Sequence, residues 1–187
     1  MRTSVPLEKA YLLMNHGPTT LVSASHGGKD NVMAAAWAMP IDFSPPKIAV
    51  VIAADTFTRK LVEKSGEFVL SLPTSDQADL TYAVGNTSGA KTDKFKRLGI
   101  QTSPGSKVKA PLIEGCAGWL ECKVIPEEKN QRDYDLFIAE VLAAWADDEL
   151  FGPRGWKFKE DGKATIHHVA GGTFAVPNKT IEVKQRK

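Results

Sequence analysis

Ser88-Gly89-Ala90-Lys91-Thr92-Asp93-Lys94-Phe95 puts a glycine turn, hydroxyl and basic side chains and an Asp-Lys-Phe triplet into eight consecutive positions. Backbone N–H groups freed at a glycine turn and a lysine charge converge readily on one anion, so this segment suits a phosphate. The same residue types also build ordinary solvated loops, and the segment alone does not choose between the two. A second anion-friendly stretch lies upstream in Thr56-Phe57-Thr58-Arg59. Thr58 and Arg59 there fall in the first turn of a predicted helix, where free N–H groups and the dipole favour negative charge. Thr56 fits a plain N-cap equally well, and Arg59 a plain surface charge. Asp93 suits a loop-holding role, accepting backbone N–H bonds, better than contact with an anion.

Other chemistries find less support. His167 and His168 sit in a predicted strand and point to opposite faces, so both cannot readily bind one metal, although one can reach a pocket. His16 and His26 lie near turns, and no Ser-His-Asp arrangement can be built. Cys116 and Cys122 are six residues apart with no CxxC, which reads as two reduced, buried thiols sharing a face if the segment is one strand. Asp147-Asp148-Glu149 reads as a solvated turn. No metal site is expected.

Positioning these residues requires a strand-rich framework. Thr19–Ala24 reads as a strand closed by the turn His26-Gly27-Gly28-Lys29-Asp30, and Val32–Met39 as its hairpin partner. Lys47–Ala54 is a near-continuous apolar run and is expected to be central. Thr58–Lys64 is predicted helical, with Leu61 and Val62 facing inward and Gly66 ending it. Glu67–Leu72 is a strand stopped by Pro73, Ser75–Ala83 a helix, and Thr92–Leu98 a short helix with Phe95 and Leu98 on one face. Gly118–Ile125 and Asp133–Ala144 alternate like barrel walls, with Tyr134, Leu136, Ile138 and Glu140 on one face of the second. Thr165–Val169 closes the series, followed by Gly171-Gly172-Thr173-Phe174. No strand–GxGxxG–helix unit is present, which argues against a Rossmann fold. The expected fold is mainly β: a split (Greek-key) antiparallel β-barrel with short helical insertions.

Composition agrees with one ordinary globular domain over residues 1–187, with 42% hydrophobic and 25% charged residues. A net charge of +2 gives no global drive toward nucleic acid. The basic tail Lys179–Lys187 is broken by Glu182 and reads as a solvated end. The longest apolar run, Val32–Ile41, is too short for a bilayer, and no signal peptide is apparent, so a cytoplasmic protein with no membrane partner is expected.

The order of these motifs resembles the flavin reductase-like family, the FMN-binding split barrels that include the flavoredoxins. The resemblance rests on Asn31-Val32-Met33-Ala34-Ala35-Ala36-Trp37, Pro45-Pro46, Thr56 to Arg59, Ser88 to Phe95, Ala110-Pro111-Leu112 and Leu120-Glu121-Cys122. It implies FMN as cofactor, a homodimer with flavin near the subunit interface, and NAD(P)H or a redox protein as electron donor. It also implies a flavin site drawn from Asn31, Ala35, Ala36, Trp37, Ala38, Met39, Thr56, Thr58, Arg59, Ser88, Lys94 and Phe174. In that frame the small residues Ala34 to Ala36 let a flat ring approach the strand backbone, while Trp37 and Met39 line it. Trp37 as plain core remains the competing reading.

One departure stands out. Many relatives carry Gly-Asp-His-x-Leu in the strand that ends Gly-Glu-Val; here it reads Arg132-Asp133-Tyr134-Asp135-Leu136, and Ala139 replaces the Gly. Tyr134 becomes a candidate catalytic residue, and nicotinamide-dependent turnover is less secure than FMN binding. The leading expectation is an FMN-dependent oxidoreductase. A non-catalytic FMN-binding or carrier protein, and a cofactor-free barrel used for assembly, are the alternatives.

Overall fold

The computed structural model describes residues 1–160, 162–181 and 183. Most of the tail expected to be a solvated end, at 182 and 184–187, lies outside the described residues. Strands β1 (Arg2–Val5), β2 (Thr20–His26), β3 (Lys29–Ala35), β4 (Ala38–Phe43), β5 (Pro46–Val51) and β6 (Glu67–Leu72) come first. Short β7 (Thr102–Ser103) and β8 (Leu112–Ile113) precede β9 (Gly118–Ile125) and the long β10 (Leu136–Asp147). Small hairpins β11 (Phe151–Gly152) with β12 (Gly155–Trp156), and β13 (His167–Ala170) with β14 (Thr173–Ala175), end the chain. Helices are short: α1 (Tyr11–Met14), α2 (Phe57–Ser65), α3 (Ala78–Gly85), α4 (Lys94–Leu98) and α5 (Glu128–Tyr134).

The main sheet is antiparallel and runs β3-β2-β6-β9-β10-β5-β4, with β1 also pairing to β10. Its two edge strands, β3 and β4, are consecutive in the chain and separated only by Ala36 and Trp37. Three Cα steps therefore bound the gap between the edges at that corner to about 11 Å. The sheet must curl round until its edges nearly meet, leaving a barrel split between β3 and β4.

Period-2 alternation sends side chains to two cores. Phe68, Leu70, Val50, Leu120 and Phe137 fill the inner one. Val69, Leu21, Val32, Trp119 and Leu112 form the second, against which residues of α3 and α4 pack. Strand β6 has no solvent face and is buried from Phe68 to Leu72, which explains its unbroken apolar run. Buried Glu121 belongs to β9; it accepts hydrogen bonds from Ser106 Oγ, the N–H groups of Lys107 and Val108, and Trp145 Nε1, and so fastens the 105–108 loop to the sheet. Helix α2 forms as expected: Thr56 accepts from the Arg59 N–H, Leu61 and Val62 are buried, and Gly66 at φ 70° terminates it with its N–H on the Val62 carbonyl.

Three sequence expectations need correction. Val32–Met39 is not one strand, because the chain breaks at Ala36-Trp37 and crosses to the far edge of the sheet as β4. Asp133 and Tyr134 are not in a wall strand: they end α5, and Asp135 at φ 56° turns the chain into β10. Asp tolerates this left-handed conformation better than most residues. Cys116 and Cys122, both buried and free, do not share a face, because Cys116 precedes β9 and joins the second core while Cys122 joins the inner one. Among the described residues, no helix is long and apolar enough to cross a membrane.

Candidate functional site

A polar cleft of about 280 Å³ opens between the start of α2, strand β3 and the loop before α4. Asn31, Thr56, Thr58, Ser88 and Lys94 all line it, so five residues of the expected flavin site meet in one place. Asn31 is buried within β3 and donates from Nδ2 to Thr58 Oγ1 at 2.8 Å, tying the strand to the helix. Thr56 is both cap and lining, with Oγ1 donating to the Ala53 carbonyl at 2.8 Å.

Lys94 is the unusual member. It is only 3% exposed, and Nζ donates to the Val32 and Val84 carbonyls, each at 2.7 Å. Burial pushes its pKa down from 10.5 to about 8. An ammonium has three N–H donors, and two are committed to these carbonyls, so a third can serve a ligand in the cleft. Gly89 explains how the loop closes: a Cβ there would lie 2.0 Å from Asn31 Oδ1. Only glycine allows that approach. Asp93 holds the loop's far end by accepting the Lys96 N–H at 3.0 Å.

Arg59 does not belong to this cleft. Its guanidinium is buried beneath α2 and donates to Glu63 at 2.7 Å, to the Asp135 carboxylate, and to the Ile52 and Gln131 carbonyls. It also lies over the Phe137 ring at 5.2 Å. The expected phosphate contact is corrected to a structural clamp between α2, α5 and β10, since two carboxylates and two carbonyls already occupy its donors.

A second cleft, of about 330 Å³, continues from the first through Ala34, Gly85 and Asn86, which line both. Ala34 and Ala36 point into it, whereas Ala35, between them, is 6% exposed and packs in the inner core. Strand alternation thus gives a methyl-only floor and removes the Ala35 side chain from the site. Tyr82 on α3 forms one wall. His168 and Phe174, from the β13–β14 hairpin, form the other, their rings 5.6 Å apart. Phe174, expected at the flavin, thus lines this second cleft. His168, Tyr82 and Asn86 were not in the expected set; the alternation of His167 and His168 was the only signal for the first.

Trp37, Ala38 and Met39 lie elsewhere within one chain. They line a separate apolar cleft of about 260 Å³ with Val51 and Leu136, adjoining the second cleft only through Ala36. Trp37 is 75% exposed, and Met39, Ile41 and Phe43 follow it at every second position on the edge strand, all exposed. Plain core is thereby excluded for Trp37. Tyr134 is exposed at the end of α5 and lines none of the three clefts. Its expected place in the wall strand is not seen, because the segment is helical. Among the described residues no cluster of three or more His, Cys, Asp or Glu could hold a metal.

The chain was compared with known proteins. The model of the flavin reductase like domain matches residues 14–165. An uncharacterised protein of Escherichia coli K12, YddH, is 38% identical over 180 residues, covering 95% of each chain. The solved FMN-binding domain of a flavin reductases-like enzyme from Shewanella baltica OS155 is 44% identical, covers 98% of each chain and superposes with a TM-score of 0.95. Flavoredoxin of Desulfovibrio vulgaris (Miyazaki F) shares the fold at a TM-score of 0.77 and 24% identity, over 89% of this chain and 90% of its own. The chain belongs to the flavin reductase-like family.

Proposed function

From that membership we propose that the two contiguous clefts hold one FMN and that the protein is a flavin-dependent oxidoreductase. The observation that carries this reading is continuity: a socket with a buried lysine opens directly onto a slot floored by Ala34 and Ala36. Lys94, Thr56, Thr58 and Ser88 hold the phosphate, with Asn31 fixing Thr58. Ala34 and Ala36 admit the flat ring beside the β3 backbone, whose peptide groups meet its polar edge, while Phe174 and Tyr82 exclude water. When bound, the flavin supplies two-electron chemistry, and the chain supplies binding, orientation and a dry wall. NAD(P)H or a reduced redox protein is the donor.

The exposed stripe Trp37-Met39-Ile41-Phe43 supports assembly as a homodimer through the β4 edge. Unpaired edge strands with large apolar side chains are association sites. In the dimer, Trp37, Ala38 and Met39 come within reach of a flavin, since Ala36 already adjoins both clefts.

Anaerobic titration of purified protein with FMN, followed by NADH or NADPH, tests the reading. The expected result is a tightly held flavin absorption band that bleaches with at least one nicotinamide. Failure to retain FMN would overturn the cofactor assignment. Retention with no bleaching by either nicotinamide would leave a protein-donor route, checked with a reduced ferredoxin-type partner.

A further inference from the structure

The wall made by His168 and Phe174 belongs to a segment, 164–175, that lies outside the main sheet; its first residues Ala164, Thr165 and Ile166 are buried and Thr165 bridges Thr74, while His167 onward is half-buried or exposed. The Thr19 N–H donates to the Ile166 carbonyl at 2.8 Å, the Ser75 N–H to the Ala164 carbonyl at 2.8 Å, and the His168 N–H to Thr19 Oγ1 at 2.9 Å. Two imidazoles complete the attachment. His16 Nε2 lies 2.8 Å from Thr165 Oγ1, and His167 Nδ1 lies 3.0 Å from the Gly17 carbonyl.

These bonds fix protonation chemistry. A carbonyl only accepts, so His167 Nδ1 carries the hydrogen and neutral His167 leaves Nε2 as a bare acceptor. Nε2 of His167 and Nδ1 of His16 are both buried with no hydrogen-bond partner among the described residues. The two rings stand 5.2 Å apart, and His16 also packs on Trp156 and Phe158, which carry no charge. The charged neighbour acting on His16 is His167 itself, and among the described residues no carboxylate acts on either ring to stabilise a cation.

We propose that His16 and His167 are positioning residues for the ring cleft: neutral, they clamp segment 164–175, and their protonation releases it and removes the wall formed by His168 and Phe174. Burial, and then the charge of His167, lower the His16 pKa from 6.5 to about 4; burial lowers that of His167, against the Gly17 carbonyl. The released state therefore binds protons that the clamped state refuses. Clamping is complete above about pH 6.5 and is lost as the pH falls toward 4. Taking His16 alone, with a full return to its ordinary pKa on release, linkage raises the opening equilibrium by at most about 30-fold at pH 5 relative to pH 7.5. The link to flavin rests on the function proposed above; the clamp itself does not.

Hydrogen exchange on the full chain without flavin, corrected for intrinsic rates, tests the clamp. Amides of 165–170 are expected to lose protection by up to about 30-fold between pH 7.5 and pH 5, while β9 and β10 keep theirs. His16→Phe, which preserves ring volume, and His167→Gln, which preserves the donor to Gly17, are each expected to reduce this pH dependence. Equal protection at both pH values, or simultaneous opening of β9 and β10, would overturn the proposal. So would undiminished acid opening in both variants. FMN affinity measured in parallel is expected to fall with the same midpoint. A segment that opens on schedule in a protein that binds no FMN at any pH would sink the cofactor reading and leave the clamp standing.

Discussion

Lys94 gives the sharpest test of the phosphate socket, because its ionisation lies within reach of ordinary buffers. Below about pH 8 the buried ammonium is charged and can donate its third N–H; above it the cation is lost. A phosphate monoester completes its second ionisation near about pH 6. FMN affinity should therefore be greatest between roughly 6 and 8 and fall by up to about tenfold per pH unit above that range, since one proton is at stake. Riboflavin, lacking the phosphate, should show no such fall. Charge-assisted hydrogen bonds contribute about 1.5–3 kcal/mol, so Lys94→Met should weaken FMN about 10- to 150-fold and riboflavin far less. The same change strands the Val32 and Val84 carbonyls, so stability must be measured alongside, with an expected cost of about 2–4 kcal/mol. The sign for the empty protein is opposite: a lysine whose folded pKa is depressed gains stability as pH rises from about 8 toward 10.5. Flavin-fluorescence quenching from pH 6.5 to 9.5 reads the affinities. Parallel pH profiles for FMN and riboflavin, or an FMN preference intact in Lys94→Met, would refute the socket.

Four further outcomes follow from named contacts. Arg59→Ala breaks a buried ion pair and should destabilise by about 3 kcal/mol in urea unfolding, with the FMN-to-riboflavin preference unchanged in the folded fraction. Gly89→Ala drives a methyl into Asn31 and should cost about 1–3 kcal/mol in stability and more than tenfold in FMN affinity, by calorimetry. Burial alone would raise the Glu121 pKa, but the Lys107 and Ser106 backbone groups, Trp145 and the Ser106 hydroxyl pull it below its usual value. Its contribution is present at neutral pH and lost as acid protonates it, so Glu121→Gln should flatten part of the acid limb of the stability curve and cost about 1–3 kcal/mol at pH 7. If the β4 edge pairs two chains as proposed, Trp37→Arg should shift sedimentation from dimer toward monomer while leaving far-ultraviolet circular dichroism unchanged.

The polar cleft was legible in the sequence because its signals are local. Thr56, Thr58, Ser88 and Lys94 sit in two short stretches whose turn and helix signals are strong, and β3, α2 and the 84–94 loop bring them together. Arg59 was misplaced because helical propensity does not say which way a long side chain leans, and its partners Asp135 and Gln131 are more than seventy residues away. The run Val32–Met39 looked continuous because small and apolar residues fill both strands; nothing in the alternation marks Ala36-Trp37 as a crossing. Tyr134 was drawn into a strand by its alternation with Leu136 and Ile138, whereas Glu128 to Tyr134 closes a helical turn before Asp135. His168 depended on a hairpin docking from outside the sheet, a tertiary event without a local signature.

The two-residue step from β3 to β4 makes Ala36 a boundary shared by the ring cleft and the apolar cleft beside Trp37. On the function proposed above, a ligand in the ring cleft and a partner strand on the β4 edge would both bear on this one step. Occupancy and association then cease to be separate variables. If filling the slot favours pairing, pairing must by reciprocity favour filling it to the same degree. Under that coupling a dilute solution of chains releases its cargo more readily than a concentrated one, and the amount of protein in a cell becomes part of the affinity.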